Sequence, residues 1–87
     1  MRIWKYPLEV TDQQIIWVPA GSRFLDVQFQ GNGPQLWALC DETQPKVGRR
    51  IAIYGTGNPM PPAPGEYIAT FQMHGGGLVF HAFDITP

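Results

Sequence analysis

Arg23-Phe24-Leu25-Asp26-Val27-Gln28-Phe29-Gln30, then Gly31-Asn32-Gly33, then Gln35-Leu36-Trp37-Ala38-Leu39-Cys40-Asp41, is the stretch that decides the fold. Leu25, Val27 and Phe29 fall on one side of an extended chain, and Asp26, Gln28 and Gln30 on the other. That two-residue period is the mark of a half-buried strand. Phe24 breaks the rule by falling on the polar side. Gly31-Asn32-Gly33 tolerates positive φ and closes a tight hairpin. The arm that follows is apolar from Leu36 to Cys40, which places it centrally in a sheet.

Outward from this hairpin the same rhythm continues. Further runs are Ile3–Tyr6, Gln13–Val18, Arg49–Thr56, Glu66–Met73 and Leu78–Ile85. Ile15, Ile16, Trp17 and Val18 stand together, so the second run reads as covered on both faces for part of its length. Pro19-Ala20-Gly21-Ser22 reads as a hairpin turn, and His74-Gly75-Gly76-Gly77 as another. Ile51 and Ile53 point inward from their run. Tyr67, Ala69, Phe71 and Met73 share one face of theirs, with Ile68, Thr70 and Gln72 opposite. The stretch from Gly57 to Gly65 holds four prolines and reads as a semi-rigid loop near polyproline II. No segment carries a 3.6-residue apolar period, so no substantial helix is expected. The expected fold is all-β: one domain, residues 1–87, built as a compact antiparallel β-barrel or sandwich of about seven short strands.

Composition narrows the function. Eighty-seven residues bury roughly 60% of their unfolded surface, enough for one modest core. Net charge is −1 and only 15% of residues are charged, which argues against duplex nucleic acid or an anionic membrane as partner. Low charge with several strand edges favours a homodimer. The single cysteine, Cys40, closes no internal disulfide and fits a reducing cytosol; inside an apolar strand it reads as a buried, inert thiol. Arg2 and Lys5 flank no apolar signal segment, and no run approaches the roughly 20 apolar residues of a membrane helix.

Candidate contact residues are few. Trp4 and Tyr6 share a face of the first strand beside Arg2, a combination that stacks bases or meets proteins. Trp17 and Trp37 lie in apolar runs and are assigned to the core. Arg49 and Arg50, with Lys46, form the one basic cluster; consecutive residues of a strand point to opposite faces, so only one arginine can serve a given ligand. The ordinary reading of the pair is a charged strand start that discourages edge pairing. Gly55-Thr56-Gly57-Asn58 resembles a phosphate cradle but lacks the Lys-Ser/Thr and the helix of a P-loop, so a bent strand end explains it as well. Met60 offers an apolar contact from the proline-rich loop. His74 and His81 are too few for a zinc site, and His81 reads as a satisfied core or rim histidine rather than a base. No spacing pairs the dispersed carboxylates.

Ile3-Trp4-Lys5-Tyr6-Pro7-Leu8, Trp37-Ala38-Leu39 with Asp41, Gly55-Thr56-Gly57-Asn58-Pro59, Gly65-Glu66-Tyr67-Ile68 with Thr70-Phe71-Gln72, and Phe80-His81 with Phe83 together resemble a family of small uncharacterised proteins of tailed bacteriophages and prophages. The resemblance spans nearly the whole chain. It implies a phage-encoded protein of the host cytoplasm and brings no catalytic residues with it. The expected function is a binding module that occupies and inhibits a host defence or metabolic protein. Trp4, Tyr6, Arg49, Arg50, Thr56, Asn58 and Met60 are its candidate contacts. One alternative is a sponge for a nucleotide-like small molecule; another is a virion assembly accessory. No enzyme activity, cofactor or metal is expected.

Overall fold

Seven strands account for the apolar runs in a computed structural model, which describes residues 1–87. They are β1 (Arg2–Pro7), β2 (Gln13–Pro19), β3 (Arg23–Gln30), β4 (Gly33–Cys40), β5 (Lys46–Gly55), β6 (Glu66–Met73) and β7 (Leu78–Asp84). The one helical piece is a 3₁₀ turn over His74–Gly76. The strands form two antiparallel sheets, ordered β1-β4-β3 and β2-β5-β7-β6. β3 runs beside β6, but no backbone ladder joins the two. The sheet therefore does not close into a barrel, and the sandwich is the form adopted.

The hairpin between β3 and β4 ends at the Gln30–Gly33 pair, with Gly31 at φ +64° making the turn. β4 is central, flanked by β1 and β3. Pro19–Ser22 is a turn but not a hairpin. Ser22 returns its N–H to the Pro19 carbonyl (3.1 Å) and its hydroxyl to the same oxygen (2.6 Å). β2 then pairs with β5 while β3 joins the other sheet, so the turn carries the chain across the sandwich. Local turn chemistry sets the reversal; it does not set which strand becomes the neighbour.

The core is formed by Leu8, Ile16, Val18, Val27, Leu36, Ile51, Ile53, Ala69, Phe71 and Ala82, with Tyr6, Phe24, Ile68, Met73 and Phe80 packed around it. Two bulges place the aromatic residues that alternation alone misassigns. In β3 the register shifts between Phe24 and Asp26, so Phe24 stands opposite Ala38 and Val27 opposite Leu36, both toward the core. Leu25 is the extra residue and is exposed. In β6 the shift falls between Tyr67 and Ala69. Ala69 and Phe71 stay inside, and Tyr67 turns outward instead of sharing their face. An inserted residue reverses the facing of everything before it.

β2 is covered on one side only. Ile16 and Val18 are buried, whereas Ile15 and Trp17 are exposed. Trp17 is therefore not core. Trp37, opposite Lys5 and Asp26, lies half-buried on the outer face of its sheet. An apolar run that looks doubly covered is here an alternating strand whose outer residues happen to be large.

Gly65, at φ +94°, closes the loop into β6, and a Cβ there would lie 2.5 Å from the Asp84 carbonyl oxygen. Gly65→Ala is expected to cost about 2–4 kcal/mol, from the left-handed backbone and from the clash. A lowered urea midpoint with an unchanged slope would register it; an unchanged midpoint would refute the close approach.

Candidate functional site

The outer face of the four-stranded sheet is assembled by register. Trp17 stands opposite Gly48 and Ile15 opposite Arg50. Ala52 stands opposite Phe83 and Tyr54 opposite His81. Tyr67 and Thr70 complete the same rows from β6. Trp17 is 61% exposed, and Ile15 and Tyr67 are each 56% exposed. Gly48 is what lets the Trp17 ring lie down: a Cβ there would sit 3.4 Å from its six-membered ring. Phe83 takes Tyr54 and Tyr67 edge-on, at centroid separations of 5.8 and 5.6 Å. Edge-to-face contacts of this kind hold rings in place beyond what buried area supplies.

His81 crosses this face with both ring nitrogens occupied. Nε2 is 2.8 Å from the Thr56 hydroxyl and Nδ1 is 2.9 Å from the Thr70 hydroxyl. Thr56 also donates to the Val79 carbonyl (3.2 Å), and Thr70 lies 2.8 Å from the Tyr67 hydroxyl. Thr56 spends its proton on Val79, so its oxygen accepts from Nε2–H. Nδ1 is then the acceptor for Thr70, which in turn accepts from Tyr67. The result is a directed chain that orients the imidazole and the exposed phenol. No carboxylate takes part in it.

On the opposite side of β5, Arg49 is held at the junction of the sheets. Its guanidinium donates to Asp84 Oδ2 from Nε (3.1 Å) and from Nη2, and to the Ser22 carbonyl from Nη1 (2.8 Å). It also lies 4.5 Å from the centroid of the Phe24 ring. Burial opposes ionisation of Asp84. Hydrogen bonds from the Thr86 hydroxyl, Arg49 and the Thr86 N–H outweigh it and hold the carboxyl below the ordinary aspartate range. A polar cleft of about 340 Å³ opens over this pair, rimmed by Arg23, Glu66 and Tyr67, beside the bulges of β3 and β6.

A second concavity, about 370 Å³, lies between β1 and the Pro19 end of β2. Trp4, Tyr6, Gln44 and Lys46 line it. The Trp4 indole N–H donates to Glu42 (3.1 Å), which also pairs with Arg2 at 2.9 Å. Burial raises the Tyr6 phenol above its usual range, and its hydrogen-bonding contact with the Cys40 thiol at 3.8 Å adds to the rise.

The candidate residues thus divide. Trp4 and Tyr6 share the groove with Lys46. Arg49 and Arg50 occupy opposite faces as strand geometry requires; Arg49 is engaged internally, and Arg50 stands beside Ile15 on the outer face. Thr56 is exposed and holds His81 through Nε2. Asn58 donates its N–H to the Gly55 carbonyl (3.1 Å), closing the turn after β5. Met60 is exposed on the loop beyond. No single site unites all seven. Sequence reasoning passed over Ile15, Trp17, Tyr54, Tyr67 and Phe83, the residues that make the outer face. The usable signal lay in the period-two parity of β2, which puts Ile15 and Trp17 together, opposite Ile16 and Val18.

Over residues 1–87 the chain matches a family described as a domain of unknown function (DUF7352), and it belongs to that family. No curated protein and no solved structure matches it.

Asp84 supplies a test of the junction. Its folded pKa is lowered, so the stability it lends is complete above the ordinary value of about 3.9 and is lost as pH falls through the lower folded value. Asp84→Ala is expected to cost about 3 kcal/mol at pH 7, leaving Arg49 without its counter-ion. It should also flatten the acid limb of the stability curve. A variant that keeps the wild-type acid dependence would show that another carboxylate governs it.

Proposed function

We propose that this chain is a small binding module that occupies a protein partner through the outer face of its four-stranded sheet. Its setting is the cytoplasm of a phage-infected cell, and its effect is to inhibit the host protein it covers. The observation that carries the reading is the outer face itself, with Ile15 and Trp17 exposed on β2, Tyr67 exposed on β6, and Tyr54 and Phe83 on the strands between them. Trp, Tyr and Arg are the residue types on which interface energy concentrates, and Arg50, opposite Ile15, supplies the cation on this face. The Tyr54, Tyr67 and Phe83 rings are already fixed by edge contacts, and Tyr67 by the His81 chain as well, so they add little ordering cost on binding. The phage and host setting rests on the family resemblance carried by Ile3–Leu8, Gly55–Pro59 and Gly65–Ile68. Inhibition needs only that such a face cover a partner's working site.

Affinity capture from phage-infected bacterial cells should retrieve one host protein in stoichiometric amount. Trp17→Ala and Tyr67→Ala, both at exposed positions, should each weaken that complex roughly 30-fold while leaving the fold intact. Capture that yields no stoichiometric partner, or one held equally well by both variants, overturns the reading.

The groove at Trp4 and Tyr6 favours a second reading, a nucleotide-like ligand stacked on the aromatic pair with Lys46 toward its phosphate. Its volume of about 370 Å³ falls at the small end of ligand pockets. A nucleotide at about 100 times its dissociation constant would stabilise the chain by about 2.7 kcal/mol and raise the melting temperature by several degrees. Trp4→Ala should abolish the rise. No shift with mono-, di- or cyclic nucleotides excludes this second reading.

A further inference from the structure

The sandwich has four strand edges, and three of them are guarded. β3 and β6 lie against each other. β1 carries Arg2 and Lys5. Leu8 donates its N–H to Pro34, so the even-numbered residues of β1 face β4 and Ile3, Lys5 and Pro7 face outward. Proline and charge at outward positions are standard guards against edge pairing.

β2 is different. Gln13-Gln14-Ile15-Ile16-Trp17-Val18-Pro19 contains no charged side chain. The Asp12 carbonyl accepts from Ile53, and the Ala20 N–H donates to Pro45, so even-numbered residues face β5. Gln13, Ile15 and Trp17 therefore present their N–H and C=O groups to the free edge. The Trp17 ring folds back over Gly48, toward β5, and does not screen that edge.

The occupant that fits this edge is a second copy of the chain, and we propose that β2 pairs antiparallel with β2 of the partner about a two-fold axis through Ile16. In that register Ile15 faces the partner's Trp17 in a hydrogen-bonded pair, and the reverse pair follows by symmetry. Two bonds for each of the two Ile15–Trp17 pairs make four, and the ladder stops short of Pro19, whose carbonyl is already bonded to Ser22. Charge agrees with this direction. β2 has an acidic end, with Glu9 and Asp12 before it, and a basic end, where Lys46 pairs with Pro19. Antiparallel pairing brings each acidic end beside the partner's Lys46, and parallel pairing would set like ends together. A net charge of −1 per chain adds little repulsion. The two four-stranded sheets become one, and Ile15 and Trp17 of both copies form a single apolar cluster at its centre. The proposal does not depend on which molecule the outer face engages.

Light scattering and native mass spectrometry of the full chain test it. The expected result is a dimer, at twice the chain mass, that dissociates on dilution. Ile15→Pro removes an outward N–H and leaves the β2–β5 ladder whole. Ile15→Lys puts a charge at the pairing edge, should the proline variant fail to fold. Either folded variant should raise the dissociation midpoint at least 30-fold, whereas Lys5→Pro on β1 should leave it unchanged. A wild-type chain that stays monomeric to about 1 mM overturns the proposal. So does a dimer that survives Ile15→Lys, or one that Lys5→Pro dissolves in its place.

Discussion

Arg49 stands on β5, yet its contacts belong to the whole molecule. One guanidinium reaches the Ser22 carbonyl at the crossing turn, the Phe24 ring on β3 and the Asp84 carboxylate on β7. Asp84 is bound in turn to Thr86, whose hydroxyl oxygen accepts the Arg50 N–H at 2.8 Å. The two sheets are thereby tied at the end where both bulges lie, beside the polar cleft. Apolar contact fills the middle of the sandwich, where Val27, Leu36, Ile51 and Ala82 are wholly buried. A chain this short has little core to spare, so a directional bond at the bulged end fixes how one sheet sits on the other.

The same shortage explains the outer face. Seven strands present more large side chains than one thin core can take in. Ile16 and Val18 go inside because their parity matches Ile51 and Ile53. Ile15 and Trp17 remain outside, and Gly48 gives the indole a flat bed. Phe83 and Tyr67 shelter one another at the far side of the sheet. An aromatic exterior is thus a direct result of building a sandwich from so few residues, and a binding surface comes with it.

Much of this was legible in the residues. The Gly31 hairpin, the central place of Leu36–Cys40, the inward Ile51 and Ile53, and the all-β class follow from period and punctuation alone. The opposed directions of Arg49 and Arg50 follow from strand geometry. Three things did not follow. The bulges at Leu25 and Ile68 leave no mark in a single sequence, and each one reverses the facing of an aromatic residue. The Pro19–Ser22 turn looks like any hairpin turn, yet its flanking strands part to different sheets. The partners of Arg49 lie 27 and 35 residues away along the chain, beyond any local pattern.

Cys40 ends β4 wholly buried, its thiol 3.6 Å from the Ala38 carbonyl and in reach of the Tyr6 hydroxyl. It is also the sole thiol of the chain. An alkylating reagent can therefore reach sulfur only when β1 lifts from β4 or the sandwich opens. The protein carries its own clock for that motion: the rate of labelling, set against that of an unfolded chain, reads the opening free energy of the three-stranded sheet with no probe introduced.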